Sequence, residues 1–254
     1  MQVVKVGGRV QGAAALIDGL VAAWNAGDPF CVVHGGGDEI SSLQQRLGLT
    51  PTFVGGRRVT SADELEIVRM ALSGSANKRM VGALISAGVP AIGISGEDGP
   101  LLIARPKDRG ALGYVGTPET VDPAPLRAIL AGGFLPVISP VARAALSEAG
   151  APSALNVNGD DAAAAIAAAL ESAELLFVAD VAGVMIDGVV AQHLDIENAE
   201  HLITSGQARG GMEPKLRAAA SALAGGVHRV RIGGVDMLSD PHAGTTIEFA
   251  RSLT

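Results

Sequence analysis

The feature that most constrains this chain is an alternation. Short apolar runs, each closed by glycine, are followed by longer segments with helical spacing. Val3–Val6 reads as a strand ending in Gly7-Gly8, and Ala13–Asn25 as the helix after it. Phe30–Val33 repeats the plan, running into His34-Gly35-Gly36-Gly37 ahead of a helix over Asp38–Leu47. Apolar residues recur with helical period over Asp63–Leu72 and Asn77–Ala87, and Ala91–Ile94 is a strand closed by Ser95-Gly96-Glu97-Asp98-Gly99. Leu101–Arg105 and Tyr114–Val115 are expected to form a side hairpin, Pro125–Ala131 a helix and Leu135–Ile138 a strand. Asp160–Leu170 and Glu213–Ala224 read as helices, and Leu175–Ala179 and Arg229–Ile232 as strands. Met185–Val190 reads as a hairpin around Asp187-Gly188, a pair suited to the positive φ of a type I′ turn. This pattern predicts an α/β fold: a three-layer αβα sandwich around a mostly parallel central sheet. In such sheets ligands bind beyond the carboxyl ends of the strands, where these glycine turns fall. The 254 residues are expected to form one domain with two lobes, about 1–150 and about 151–254, with Ala149-Gly150-Ala151-Pro152-Ser153 as the boundary candidate.

Composition removes several classes of function. Hydrophobic residues make up 48% of the chain, which argues against disorder. Aromatics are 3%, too few for a base-stacking platform, and the net charge of −7 comes without a block of Lys or Arg. A nucleic-acid partner is therefore not expected. The single cysteine, Cys31, lies within an apolar run and reads as a buried small hydrophobe. No signal peptide is visible, and no apolar stretch approaches the ~20 residues of a membrane span. A cytoplasmic protein without a membrane partner is expected.

The glycine turns carry the chemistry. In Lys5-Val6-Gly7-Gly8 a lysine stands in a strand directly before two glycines. Glycine lets backbone N–H groups approach an anion, and lysine adds a mobile point charge suited to phosphate. His34-Gly35-Gly36-Gly37 sets three glycines before a helix N-terminus, a second N–H-rich cradle. Neither the P-loop motif nor G-x-G-x-x-G after a strand is present. The lysines sharpen the reading. There are four, Lys5, Lys78, Lys107 and Lys215, so arginine supplies 15 of the 19 basic residues. Two of the four stand beside glycine pairs, at Lys5-Val6-Gly7-Gly8 and at Gly210-Gly211-Met212-Glu213-Pro214-Lys215. Those two positions look like places that need an ammonium group. Asn156-Val157-Asn158-Gly159-Asp160-Asp161 precedes the Ala-rich helix, and an N-cap accounts for only part of that polar cluster. Gly55-Gly56-Arg57-Arg58-Val59-Thr60 puts arginines in a glycine turn, either as a solvated loop or as a carboxylate clamp.

Taken in order, these motifs resemble the amino-acid kinase family, and within it the acetylglutamate branch. The resemblance also takes in Ala76-Asn77-Lys78, Gly113-Tyr114-Val115-Gly116, Leu135-Pro136-Val137-Ile138 and Ala179-Asp180-Val181-Ala182-Gly183-Val184, and so runs over nearly the whole chain. It implies an amino-acid (carbamate) kinase-like fold with an acyl-amino-acid lobe before about residue 150 and an ATP lobe after it. The implied activity is phosphorylation of the γ-carboxylate of N-acetyl-L-glutamate by MgATP, the second step of arginine biosynthesis. The implied catalytic residues are Lys5 and Lys215, which stabilise charge on the transferring phosphoryl group, and Asp160, which holds both. Gly36, Gly37, Arg58 and Asn156 are implied for the acyl amino acid. Gly8, Asp180, Val181, Gly183, Val184, Met185, Ala208, Arg209 and Gly210 are implied along the ATP site. The carboxylate nucleophile is already ionised at neutral pH, so the absence of a catalytic His or triad is consistent with the scheme. Magnesium is expected to ride on the ATP phosphates, with no protein ligand named.

Three departures from the family pattern stand out: Arg57 where an apolar residue is usual, Gly159 for the common alanine, and Glu213 two residues from Lys215. The chain starts at the first strand, without the N-terminal helix used by arginine-inhibited hexamers, so an arginine-insensitive homodimer is expected. Competing readings are a kinase for an N-blocked α-aminoadipate of lysine biosynthesis, other kinases of the superfamily, and a non-catalytic nucleotide- or anion-binding relative.

Overall fold

The structure is a computed structural model that describes residues 1–145 and 153–249. It opens with strand β1 (Gln2–Val6), a 3₁₀ turn (Gly8–Val10) and helix α1 (Ala14–Ala26). Strand β2 (Phe30–His34) and helix α2 (Gly37–Arg46) repeat the unit. A small hairpin, β3 (Phe53–Val54) and β4 (Arg57–Arg58), leads to α3 (Ala62–Arg69), whose start is fixed by a Ser61–Glu64 capping box. A π-helical segment, Met70–Ala76, joins α3 to α4 (Asn77–Ser86). Then come β5 (Ala91–Gly96), β6 (Leu102–Pro106), the short α5 (Arg109–Leu112), β7 (Val115–Val121), α6 (Ala124–Ala131) and β8 (Leu135–Ala144). The second half holds β9 (Ala154–Val157), α7 (Gly159–Ala169), β10 (Glu174–Val178), the hairpin β11 (Met185–Ile186) and β12 (Val189–Val190), and β13 (His193–Asp195). It ends with α8 (Ile196–Thr204), α9 (Met212–Ala224), β14 (Arg229–Gly233) and β15 (Thr245–Glu248).

Eleven strands form one sheet in the order β13-β15-β14-β10-β1-β2-β8-β6-β7-β9, with β5 paired to β8. Pairing is mostly parallel; β14–β15, β6–β7 and β8–β9 run antiparallel. The expected αβα sandwich is thus present. The segments read as a side hairpin pair with each other but also belong to the main sheet, because β6 pairs with β8 and β7 with β9; β7 is longer than expected. Strand β8 also outruns its expected end at Ile138. Its first half pairs with β2 and β5, and its second half with β6 and β9. The exchange of partners falls at Pro140, which has no N–H to give to a ladder. The boundary candidate Ala149–Pro152 lies outside the described residues. No helix among the described residues is long and apolar enough to cross a membrane.

Alternation along β1 decides what each face receives. Val4 and Val6 pack with Leu16 and Leu20 of α1 and Met80 and Leu84 of α4. Val3 packs on the opposite side with α7 and α9, and Lys5 shares that face. The two helices are lined with alanine where they are buried. On α7 the stripe is Ala163, Ala164 and Ala167, and on α9 it is Ala218, Ala219 and Ala222. Traced toward the N-terminus at helical spacing, the first stripe ends at Asp160 and the second at Lys215. Small side chains let the helices approach each other closely: a Cβ added at Gly225 would lie 2.7 Å from Ala168 Cβ.

A buried ion pair fastens the other half of the sheet. Glu174 Oε1 accepts from Arg231 Nε at 2.8 Å and forms an ion pair with Arg229, whose Nε lies 2.8 Å away. Arg231 also donates to the carbonyls of Met237, Asp240 and Ala243, which fixes the loop before β15. Both arginines are structural. Because the alanine stripe sets the approach of α9, Ala219→Leu is expected to lower unfolding stability by about 1–3 kcal/mol through overpacking, read from the urea midpoint at unchanged slope.

Candidate active site

Three charged side chains meet above the carboxyl end of β1. Lys5 Nζ lies 2.6 Å from Asp160 Oδ1, and Lys215 Nζ lies 3.3 Å from Asp160 Oδ2. Their side chains are 8%, 6% and 14% exposed for Lys5, Asp160 and Lys215, so the group is nearly shut off from bulk water. Asp160 sits in the first turn of α7, where Asn158 caps the helix by accepting from the N–H groups of Asp160 and Asp161. A carboxylate there also benefits from the positive end of the helix. Burial alone would raise the Asp160 pKa, but Lys5 and Lys215 together hold it below the usual carboxylate range. Burial lowers the Lys215 pKa, and the attraction of Asp160 offsets only part of that effect. Glu213, which could have screened Lys215, instead accepts from Arg217 Nε at 3.1 Å.

Two openings converge on this group. A cleft of about 410 Å³ is lined by Lys5, Gly8, Asp180, Val181, Arg209 and Lys215, together with Gly7, Arg9, Asp38 and Gly211. A cavity of about 190 Å³ is lined by Gly36, Gly37, Arg58 and Asn156, together with Arg57, Phe53, Leu72, Pro140 and Gly159. Gly37, the first residue of α2, lines both. Helix starts leave N–H groups without an intrahelical partner, so this is a natural anion cradle between the two openings. The turns are held by sheet-like bonds: Gly7 N donates to Val178 O at 2.8 Å and Gly35 N to Val6 O at 3.0 Å. Glycine is needed for space at Gly36, where a Cβ would lie 2.6 Å from Leu72 Cδ2. At Gly159 the same atom would press on Lys5 Cε at 3.3 Å, so the missing methyl leaves the lysine room.

Arg58 is 8% exposed and heavily engaged. Nη1 donates to Gln44 Oε1, Nη2 donates to Gly37 O at 2.9 Å and Ser41 Oγ at 2.8 Å, and the guanidinium lies 4.8 Å over the Phe53 ring. Asn156 Nδ2 donates to Thr60 Oγ1 at 3.1 Å. Of the other sequence candidates, Gly183, Val184, Met185, Ala208 and Gly210 do not line the cleft. Val184 is buried, with its N–H bonded to Thr245 Oγ1. Met185 is exposed on β11, Ala208 donates to Leu202 O, and Gly183 packs on Val190 and Thr245. Gly210 turns at φ +59 beside the cleft-lining Arg209 and Gly211.

Sequence reasoning passed over Arg9, Asp38 and Gln44. Arg9 reaches Asp180 at 3.2 Å and Asp38 at 3.9 Å across the mouth of the cleft, and its place next to Gly8 was the available signal. Gln44 is a buried polar residue on the same face of α2 as Ile40, a mismatch visible in the helical period. Its amide donates to Glu64 at 2.7 Å while its oxygen receives Arg58.

His34 is fully buried. Its Nδ1 donates to Gly35 O at 2.8 Å, which leaves Nε2 to accept from Asn77 Nδ2 at 3.1 Å. It ties β2 to α4 as a neutral ring, with a pKa lowered by burial to about 4. Lys78 Nζ donates to Gly93 O and Asn77 Oδ1, away from either opening. Cys31 is buried, which pushes its thiol up to about 12.

The first 234 residues match the model of the amino acid kinase family, and the chain belongs to that family. The chain is 44% identical over 248 residues to the acetylglutamate kinase of Roseiflexus sp. (strain RS-1), covering 96% of this chain and 92% of the relative. It is 45% identical over 244 residues to the acetylglutamate kinase of Chloroflexus aurantiacus (strain ATCC 29366 / DSM 635 / J-10-fl), covering 94% of each. Among solved structures, smu.665 from Streptococcus mutans UA159 superposes with a TM-score of 0.88 at 26% identity, over 98% of both chains. Carbamate kinase from Giardia lamblia bound to citric acid superposes with a TM-score of 0.74 at 16% identity, again over 98% of both, and shares the fold.

The neutral His34 gives a pH signature. Its folded-state pKa of about 4 lies below its ordinary 6.5, so the unfolded chain binds the extra proton between those values. Stability from this residue is complete above pH 6.5 and falls as pH drops toward 4, by up to about 1.4 kcal/mol per pH unit. His34→Gln is expected to flatten the urea stability–pH curve over that window relative to the unsubstituted protein.

Proposed function

We propose that this protein phosphorylates the γ-carboxylate of N-acetyl-L-glutamate with MgATP, the second step of arginine biosynthesis. The observation that carries this reading is the Lys5–Asp160–Lys215 group standing where the cleft and the cavity meet. The cleft takes ATP and the smaller cavity takes the acyl amino acid. The γ-carboxylate then faces the terminal phosphoryl group across the glycine turns.

The chemistry asks for little beyond placement and charge. A carboxylate oxygen attacks the γ-phosphorus, the bond from that phosphorus to the β–γ bridging oxygen breaks, and ADP leaves as the acyl phosphate forms. The nucleophile is already an anion, so no residue removes a proton. Lys5 and Lys215 stabilise the charge spread over the transferring group, and Asp160 orients both ammonium groups. The N–H groups at Gly8, Gly36 and Gly37 supply further donors. Magnesium enters as part of the MgATP substrate and screens the phosphate charge. Among the described residues no group of three or more His, Cys, Asp or Glu could hold a metal.

Arg58 and Asn156 bind the acyl amino acid. Asp180, Val181 and Arg209 border the phosphate end of ATP. Gly183, Val184, Met185, Ala208 and Gly210 belong to the segments that receive its nucleoside. The lobes divide the labour at about residue 150, with Asn156–Gly159 reaching from the ATP half into the acyl-amino-acid cavity. We expect a cytoplasmic homodimer insensitive to arginine.

The test is ADP release with MgATP and N-acetyl-L-glutamate, beside N-acetyl-α-aminoadipate, glutamate and uridylate. Turnover confined to N-acetyl-L-glutamate is expected, and Lys215→Ala is expected to lower kcat by about 100- to 1,000-fold. Turnover only with another acceptor overturns the assignment. Light scattering is expected to give twice the chain mass, and added arginine to leave the rate unchanged; a hexamer or an arginine-inhibited enzyme overturns that part.

A further inference from the structure

The reaction scheme leaves one cleft-lining cation without a task. Arg9 follows Gly8 in the 3₁₀ turn after β1, and it lines the 410 Å³ cleft together with Lys5, Lys215 and Arg209. Two carboxylates line the same cleft, Asp38 in the first turn of α2 and Asp180 after β10. Arg9 is paired with both of them.

The guanidinium is held at one corner only. Nη1 donates to Asp180 Oδ2 at 3.2 Å. Nε lies 3.9 Å from Asp38 Oδ2, close enough for charge attraction and too far for a hydrogen bond. Nε and Nη2 therefore keep their N–H groups uncommitted among the described residues. Such a fork matches two oxygens of one phosphate. A purely structural role explains little, because the side chain is 73% exposed and exposed ion pairs add little to stability.

The cleft also has charge to offer. Even with Asp160 counted against the lysines, its four cations face three carboxylates. Lys5 is buried and Arg9 is exposed, so the two mark the floor and the rim of the same end of the cleft. The lysines at the floor receive the transferring phosphoryl group of the proposed reaction. We propose that Arg9, held by Asp180, binds the terminal phosphates of the nucleotide through its free Nε–Nη2 fork, and sets the affinity for di- and triphosphates while leaving the chemical step to the lysines. This rests on the reading of the cleft as the ATP site. The structural alternative is that Arg9 only ties the turn after β1 to the Asp180 loop.

The test is calorimetric binding of MgATP, MgADP and AMP to the unsubstituted protein, Arg9→Met, Arg9→Gln and Arg9→Lys, with steady-state kinetics on the same four. The contact is charge-assisted but screened at an open rim. Arg9→Met and Arg9→Gln should therefore raise Kd for ATP and ADP, and KM for ATP, by about 5- to 50-fold. AMP should bind all four proteins alike. The kcat at saturating ATP should be retained, and KM for N-acetyl-L-glutamate should not move. Arg9→Lys keeps the charge without the fork and should recover only part of the loss. The proposal is overturned if AMP binding weakens as much as ATP binding, if no nucleotide responds, if kcat falls while KM for ATP holds, or if lysine restores binding in full. If ATP binds in this Arg9-dependent way but no acyl amino acid is turned over, the kinase reading fails and the phosphate contact stands. Absence of nucleotide binding overturns both.

Discussion

One carboxylate buried between two ammonium groups organises this molecule. Asp160 comes from a helix start, Lys5 from the middle of the sheet and Lys215 from a second helix. Removing Asp160 would strand two ammonium groups in a poorly solvated place, and breaking a buried pair in this way typically costs about 3–5 kcal/mol. The count of charges matters as much as their burial. Two cations against one anion leave the group itself with a net positive charge, and Asp180 adds a further attraction on Lys215. The group sits where cleft and cavity join, fixed before any ligand arrives. Placement of that kind is what a loose phosphoryl transfer asks of a protein, because little reorganisation remains for the reaction itself.

The rest of the architecture makes this arrangement possible. Alternation on β1 directs Val3 and Lys5 to the same face, so a single strand serves core and chemistry. Alanine stripes bring α7 and α9 close enough for Lys215 of α9 to reach Asp160 of α7. The glycines at Gly7–Gly8 and Gly35–Gly37 keep side chains out of the space where these elements converge. The partner exchange of β8 at Pro140 places that residue on the wall of the cavity.

Much of this was legible in the sequence, and the reasons are physical. Glycine after a short apolar run marks a strand end, and a lysine retained in an arginine-rich composition marks a position that needs ammonium. These signals are local, and they single out Lys5 and Lys215. The excess of polar residues beyond a cap marked only the segment Asn156–Asp161, and the choice of Asp160 within it came from the family resemblance. What stayed hidden depends on distant pairing. The joining of β6 and β7 to the main sheet, and the length of β8 past Pro140, are set by neighbours rather than by local propensity. Strands β9, β13 and β15 are short and were not read at all, and neither was helix α8, although its buried Ala199, Leu202 and Ile203 recur at helical spacing. The engagement of Arg58 by Gln44, 14 residues away, and the neutral bridge of His34 to Asn77 require tertiary contact. Of the residues expected along the ATP site after Asp180, Gly183, Val184 and Met185 do not line the cleft, because the loop turns away from it at Gly183.

The position of Lys5 has a consequence for motion. Strand β1 is flanked on both sides by parallel partners and covered by helices on both faces, so its amides belong to the part of the protein that opens last. The β3–β4 hairpin has two-residue strands and an exposed tip at Val54–Gly56, and it is fastened chiefly by arginine side chains. Opening of that hairpin draws on a separate and smaller free energy than opening of the sheet. The wall of the smaller cavity can therefore breathe on its own clock while the catalytic lysine keeps its address.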